Sequence, residues 1–373
     1  MTLVDIAAPS AAVRTAVGRI EDWLLRSGVQ LDEGPQRGGV AGWLDRDGQP
    51  EFVYLEITGY YLTAMAWLSS GAASSPTHAR LADLRARRAA CWMASRIEEQ
   101  AAPATRLYLA EPSSDWRNNA VFSFDLAMAA RGLAATRQLA GRRQRRRALA
   151  AICTRLSRIS ADTDVMASHE LVVGDATTMP DRWSTRPGPH HLKAAAAVLH
   201  LPKRVTDESM IVVARRTCDH WATSFTADEW PCQELHAALY ALEGMLIRAT
   251  GGDDLVAVER VFTRLMELQT ADGKLPETVA GGAVRSDVLA QALRVGMLLR
   301  GRQRLSGPVW SDRIDRLTNA LLGFIRPDGG VLFALDQSIS NTWCAMFAHQ
   351  ALYLRACDGA QTAPPAAAYE LLV

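Results

Sequence analysis

The chain has 373 residues, of which 49% are hydrophobic, enough to bury a large core in one or two domains. Its 41 basic and 40 acidic side chains leave a formal charge of +1, so nothing steers it toward nucleic acid, an anionic membrane surface or a polyanionic partner. No apolar run approaches the roughly 20 residues that cross a bilayer, and Asp5 stands where a secretory leader is basic; a cytoplasmic chain with no membrane span is expected.

Helix-period apolar spacing recurs from end to end, and alternating strand patterns are nearly absent. In chain order the spacing predicts helices over 11–28, 56–71, 76–100, 118–139, 143–160 and 188–200. Six more follow over 205–225, 231–249, 253–269, 284–301, 308–325 and 337–357. Two characters alternate. Residues 76–100 expose a charged face with Arg80, Asp83, Arg87 and Glu98, whereas Ala237–Ile247 and Val288–Leu299 are apolar nearly all round. A helix of the second kind must be covered on every side, while the first kind faces water. Two concentric rings satisfy both, so the predicted fold is all-α: an (α/α)6 toroid of twelve helices, one domain over 1–373 with a long rim loop at about 171–189. A domain boundary in that loop is the alternative.

Inner helices are expected to start near Glu56, Asn118, His190, Glu234, Arg285 and Asn341, a hairpin repeat with variable loops. Asp-Gly pairs at 47–48, 272–273 and 328–329 precede three of them and predict tight hairpins on one rim. Six scattered cysteines without a CxxC pair, as in Ala90-Cys91-Trp92, read as small buried hydrophobes. The basic run Arg142, Arg143, Arg145, Arg146 and Arg147 reads as a solvated helix face.

The segment Leu268-Gln269-Thr270-Ala271-Asp272-Gly273-Lys274-Leu275 resembles the Q-x-x-D-G-x-W repeat of terpenoid cyclases and protein prenyltransferase β subunits, and Ile325–Gly330 is a degenerate copy. The resemblance implies an α/α toroid in which the motif joins an outer to an inner helix. Glu234–Tyr240 is also similar to the inner helix that brings a zinc-binding histidine in prenyltransferases. Leu275 replaces the repeat tryptophan, however, and neither a D-x-D-D motif nor the Asp-x-Cys pair of the zinc site is present. Asp253-Asp254 lacks the third acid of a magnesium motif, since Ala257 takes its place, and helix capping explains the pair. Tyr54–Tyr60 resembles the glutamate-then-Thr-Gly-Tyr start of inner helices in toroidal glycoside hydrolases, lyases and epimerases, which implies sugar chemistry.

In a toroid the first turns of the inner helices point into one pocket. The first helix offers Tyr54, Glu56 and Tyr60; the second Trp116, Arg117, Asn118 and Asp125; the third His190, His191 and Lys193. The fourth offers Glu229, Trp230, Glu234 and His236; the fifth Arg285, Asp287 and Gln291; the sixth Asn341, Trp343 and His349. Carboxylates, aromatic platforms and guanidinium or amide donors in one bowl are what sugar recognition needs. The expected function is therefore a carbohydrate-active enzyme, hydrolase, lyase or epimerase, taking a small-molecule or oligosaccharide substrate. Glu56, His236 and Asp287 are the expected catalytic groups, and Tyr54, Tyr60, Trp116, Arg117, Asn118, Asp125, His190, Glu234, Arg285, Asn341 and Trp343 are expected to bind substrate; without the resemblance, His236 reads as a core histidine. Glu56 and Asp287 each have a bland alternative at a helix start, and Asp125 could pair with Arg131. Without an H-E-x-x-H motif or a phosphate loop, no metal or cofactor is expected. An isoprenoid cyclase or transferase, with an apolar pocket, and a non-catalytic toroid, with a plugged one, are the competing readings.

Overall fold

The computed structural model describes residues 11–100, 103–110, 114–136, 142–172, 179–224, 232–248, 252–362 and 368–373. They form twelve α-helices: α1 (Ala11–Arg26), α2 (Leu55–Trp67), α3 (Pro76–Glu99), α4 (Ser123–Ala135), α5 (Arg142–Ile159), α6 (His191–Leu199), α7 (Glu208–Ser224), α8 (Leu235–Arg248), α9 (Gly252–Met266), α10 (Ser286–Gly301), α11 (Pro308–Leu322) and α12 (Thr342–Gly359). The even-numbered helices form the inner ring: each packs on the next, and α12 returns to α2. Every inner helix also pairs with the outer helix that follows it, and α12 pairs with α1. The predicted toroid is the observed fold.

Sequence character decides the ring. In α2 every residue except Glu56 is buried, while in α11 Ile314, Leu317, Thr318 and Leu321 face inward and the charged residues face water. Close crossings in the inner ring require glycine. A Cβ on Gly59 would lie 2.7 Å from the Met128 backbone of α4, and one on Gly132 would lie 2.3 Å from the Gly59 carbonyl oxygen. Gly244 of α8 stands against the Lys193 amide of α6 in the same way, at 2.5 Å.

Short antiparallel strands, not foreseen in the periodicity, lead into several inner helices. They are β1 (Trp43–Leu44), β2 (Phe52–Tyr54), β3 (Arg106–Tyr108), β4 (Ala120–Phe122), β5 (His169–Leu171) and β6 (Ser340–Asn341), paired β1–β6, β2–β3 and β4–β5. They correct two helix starts. The helix expected from 118 begins at Ser123, because Asp115 caps a 3₁₀ turn over Trp116–Asn119 and Ala120–Phe122 pairs with β5. The helix expected from 337 begins at Thr342, because Ser340 and Asn341 pair with β1.

The Asp-Gly turns form the expected tight hairpins, and two of them bind the next outer helix. Gly273 and Gly329, both at positive φ, press against the carbonyls of Arg316 in α11 and Arg19 in α1, so close that a Cβ would overlap them. Gln269 spans this junction, donating to the Gly273 and Arg313 carbonyls. Asp47-Gly48 is not the third copy. The turn after α1 that docks on an outer helix is Gly38, 2.6 Å from the Arg88 carbonyl of α3 when given a Cβ.

Other expectations are corrected by burial. Cys91 is exposed on α3, and Arg145 is buried while Arg143, Arg146 and Arg147 are exposed; the side chain of Arg142 lies outside the described residues. Asp254 is ion-paired with Arg248 at 2.9 Å, and the side chain of Asp253 also lies outside them. Opposite the rim, residues 368–373 close the ring: Arg131 donates to the Glu370 carbonyl, Gln350 to Leu371 and Lys193 to Val373. No described helix is long and apolar enough to cross a membrane.

Candidate active site

The inner-helix N-termini surround a cavity of about 560 Å³. One register generates most of its wall. Glu56, Phe124, His236, Asp287 and Trp343 are each the second residue of their helix, and the residues just before the helices include Tyr54, Phe122, His190, Glu234 and Arg285. Of these, all but Asp287 line the cavity, together with Tyr60, Trp116, Arg117 and Asp125. Three expected site residues stand outside the lining. Asp287 lies directly behind it, held by Arg285 through Nε–Oδ1 at 3.1 Å and Nη2–Oδ2 at 2.6 Å. Asn118 clamps the Arg106 backbone with two hydrogen bonds, and Asn341 caps α12 by accepting from the Cys344 amide. Glu229 and Trp230 lie outside the described residues.

Sequence reasoning missed Arg106, Asp181, Arg182, Trp183, Glu277 and Phe333, which reach the cavity from strands and loops, and Tyr240, one turn below His236. The part of the rim loop containing Trp183 supplies an aromatic wall edge-on to both His190 and His236, with centroids 5.0 and 5.7 Å away. His190 faces the cavity, whereas His191 turns back toward Gly188, as adjacent residues on a helix must diverge.

Glu56 and His236 stand on α2 and α8, opposite each other in the ring of six. One turn deeper, Tyr60 and Tyr240 meet across the floor with hydroxyls 3.0 Å apart. Burial raises the Glu56 carboxyl to about 7, against the pull of the Tyr54 and Tyr60 hydroxyls and the charges of Lys193 and Arg106. Asp125 on the neighbouring α4 is raised well above the usual range by burial and by Glu56. Arg131 does not pair with it; that guanidinium points to the Glu370 and Tyr369 carbonyls instead.

Across the cavity, burial lowers His236 to about 4, so its imidazole is neutral at pH 7. Its Nδ1 lies 2.6 Å from Gln291 Oε1 and 3.6 Å from Asp287 Oδ2. Two acceptors on that side place the hydrogen on Nδ1 and leave Nε2 basic. Burial pushes Asp287 up, but the Arg285 charge outweighs it and holds the acid at about 2. Asp287 is thus ionised beside His236. Among the described residues no group of three His, Cys, Asp or Glu side chains is placed to hold a metal ion.

No protein-family profile matches the sequence, and no curated protein is similar to it in sequence. Solved structures are similar in fold. A D-mannose isomerase superposes with a TM-score of 0.66 at 13% identity, covering 94% of this chain and 99% of its own. The cellobiose 2-epimerase from Bacillus thermoamylovorans B4167 gives 0.66 at 11% identity, with 92% and 98% covered. An unsaturated glucuronyl hydrolase from Bacillus sp. GL1 gives 0.56 at 12%, with 91% and 95% covered. The chain has the α/α-toroid fold. Within it, the open cavity is not the plugged centre of a purely structural ring. Its four arginines and five carboxyl groups are also not the lining an isoprenoid chain would call for.

Proposed function

We propose that this toroid is an acid–base enzyme acting on a sugar or oligosaccharide, with Glu56 as proton donor, His236 as proton acceptor and Asp287 positioning the histidine. The observation that carries the reading is opposition. A carboxyl group uncharged up to about pH 7 faces a neutral imidazole across a cavity floored by the Tyr60–Tyr240 pair. Groups on opposite walls reach opposite faces of one bound ring or open-chain sugar. That suits removal of a proton from a carbon next to a carbonyl on one face and its return on the other. Glu56 and Asp125 sit on adjacent helices and share one wall, so they do not flank a glycosidic bond as the carboxylates of an inverting hydrolase do. Of hydrolysis, elimination and epimerisation, the geometry therefore favours epimerisation or isomerisation. The fold likeness to a mannose isomerase and a cellobiose 2-epimerase points the same way. Trp116, Trp183 and Trp343 supply faces for stacking on a pyranose.

The test is incubation with reducing mono- and disaccharides in D₂O, following deuterium entry beside the carbonyl by NMR. Wild-type protein should exchange that hydrogen. Glu56→Gln and His236→Asn should each slow exchange by about 10²-fold or more while remaining folded. A fully active Glu56→Gln protein would sink the donor assignment, and turnover without deuterium entry would replace the reaction type.

A further inference from the structure

Arginine and lysine cations around the cavity differ in how many carboxylates they have. Arg285 sits between Asp287 and Glu277, and Lys193 and Arg294 share Glu243 below the floor. Arg106 and Arg117 also share one carboxylate, but they do so in the cavity wall, where a ligand reaches them. Asp115 accepts from Arg117 Nη1 at 3.0 Å through Oδ1 and from Arg106 Nη1 at 3.3 Å through Oδ2, and the Tyr108 hydroxyl donates to it at 3.1 Å. Two guanidinium groups on one carboxylate leave a positive charge over, with side chains only 10% and 24% exposed.

Both groups are built in place. The Arg106 guanidinium lies 4.4 Å from the Phe52 ring centre, 5.1 Å from Tyr54 and 5.3 Å from Trp43, and its Nε is buried without a hydrogen-bond partner among the described residues. Arg117 lies 4.4 Å above the Trp116 ring. Glu56 feels the Arg106 charge and Asp125 feels both, and a Glu56 that serves as proton donor is uncharged in the state that binds substrate. Burial favours the neutral form of Asp125 as well, so among the described residues Asp115 is the one carboxylate ion-paired with the two guanidiniums. An unbalanced, desolvated guanidinium is costly unless a ligand completes it.

We infer that Arg106 and Arg117 form a subsite for a carboxylate-bearing sugar, so that the substrate is a uronic acid or an oligosaccharide presenting one at the reacting end. A carboxylate accepts two N–H groups in one plane, which matches a pair of stacked guanidiniums better than a lone hydroxyl does. The inference rests on the sugar reading of the cavity.

Calorimetric titrations of the whole chain with matched pairs would test it: glucuronate against glucose, galacturonate against galactose, mannuronate against mannose. At least one uronate should bind tenfold or more tightly than its neutral partner. Arg117→Gln, at the more exposed of the two positions, should reduce that preference to within twofold with an unchanged melting temperature, and Arg117→Lys should restore part of it. Equal binding of acidic and neutral sugars would overturn the subsite and leave the sugar reading standing. A preference that survives both Arg117→Gln and Arg106→Gln would also overturn it. Failure of every sugar, acidic or neutral, to bind would overturn the sugar reading itself.

Discussion

At Glu56, burial and chemistry make opposite demands on one carboxyl group. Burial favours the neutral form and raises the group from 4.5 to about 7, while Lys193 and Arg106 favour the charged form. The folded-state value lies above the unfolded one. Its contribution to stability is therefore full below about 4.5 and lost as pH rises through about 7. Glu56→Gln, which cannot ionise, should lose less stability than wild type across that window, by up to about 3 kcal/mol, in denaturant titrations at pH 4.5 and 8. Activity should share the upper limit. Turnover needs protonated Glu56 and neutral His236, so kcat/KM should plateau between about pH 4 and 7 and fall on either side. A rate that keeps rising through pH 8 would mean that Glu56 works as a carboxylate.

The elements explain why some of these residues were visible in the sequence and others were not. Residues at and just before a helix start share one register in the inner hairpins, so collecting them from the periodicity gave Glu56, Asp287 and Trp343, and the resemblances at Tyr54–Tyr60 and Glu234–Tyr240 singled out Glu56 and His236. Arg106, Arg182, Trp183 and Glu277 come from strands and loops that have no period, and only pairing such as Tyr54 opposite Arg106 brings them in. Asn118 and Asn341 were misassigned for a related reason: the chain enters α4 and α12 through strands, which turn those amides into clamps and caps. Gly59 admits the close approach of α4. Gly59→Ala should therefore push α2 and α4 apart, cost about 1–3 kcal/mol in thermal or urea melts and separate Glu56 from Asp125. Gly18, with nothing within 4 Å of an added Cβ, is the control; its alanine variant should be neutral or slightly stabilising.

Across the whole molecule, a charged layer beneath the tyrosine floor links four inner helices to residues 368–373. Glu243 on α8 binds Lys193 of α6 at 2.8 Å and also binds Arg294 of α10, which donates to Gln350 of α12 at 3.0 Å. The ammonium group lies 5.0 Å from the Tyr60 ring centre and 4.6 Å from Tyr240. One buried carboxylate thus serves two buried cations, which makes the layer asymmetric. Removing Glu243 strands both, whereas removing Lys193 leaves the Glu243–Arg294 pair intact. Glu243→Gln should then cost about 3–5 kcal/mol, and Lys193→Met, close in volume, about 1 kcal/mol or less. At this chain length each kcal/mol moves the melting temperature by roughly 2–4 °C, so calorimetry separates the two variants easily. A second signature has a definite sign. Burial, aided by Arg294 and Arg131, lowers Lys193 from 10.5 to about 7 against the pull of Glu243, so between those values the unfolded chain holds a proton that the folded chain has released. Wild-type stability should therefore gain on Lys193→Met as pH rises from 7 toward 10. If Glu243→Gln proves no costlier than Lys193→Met, the layer is not what holds these helices in register, and the apolar inner faces alone must do so.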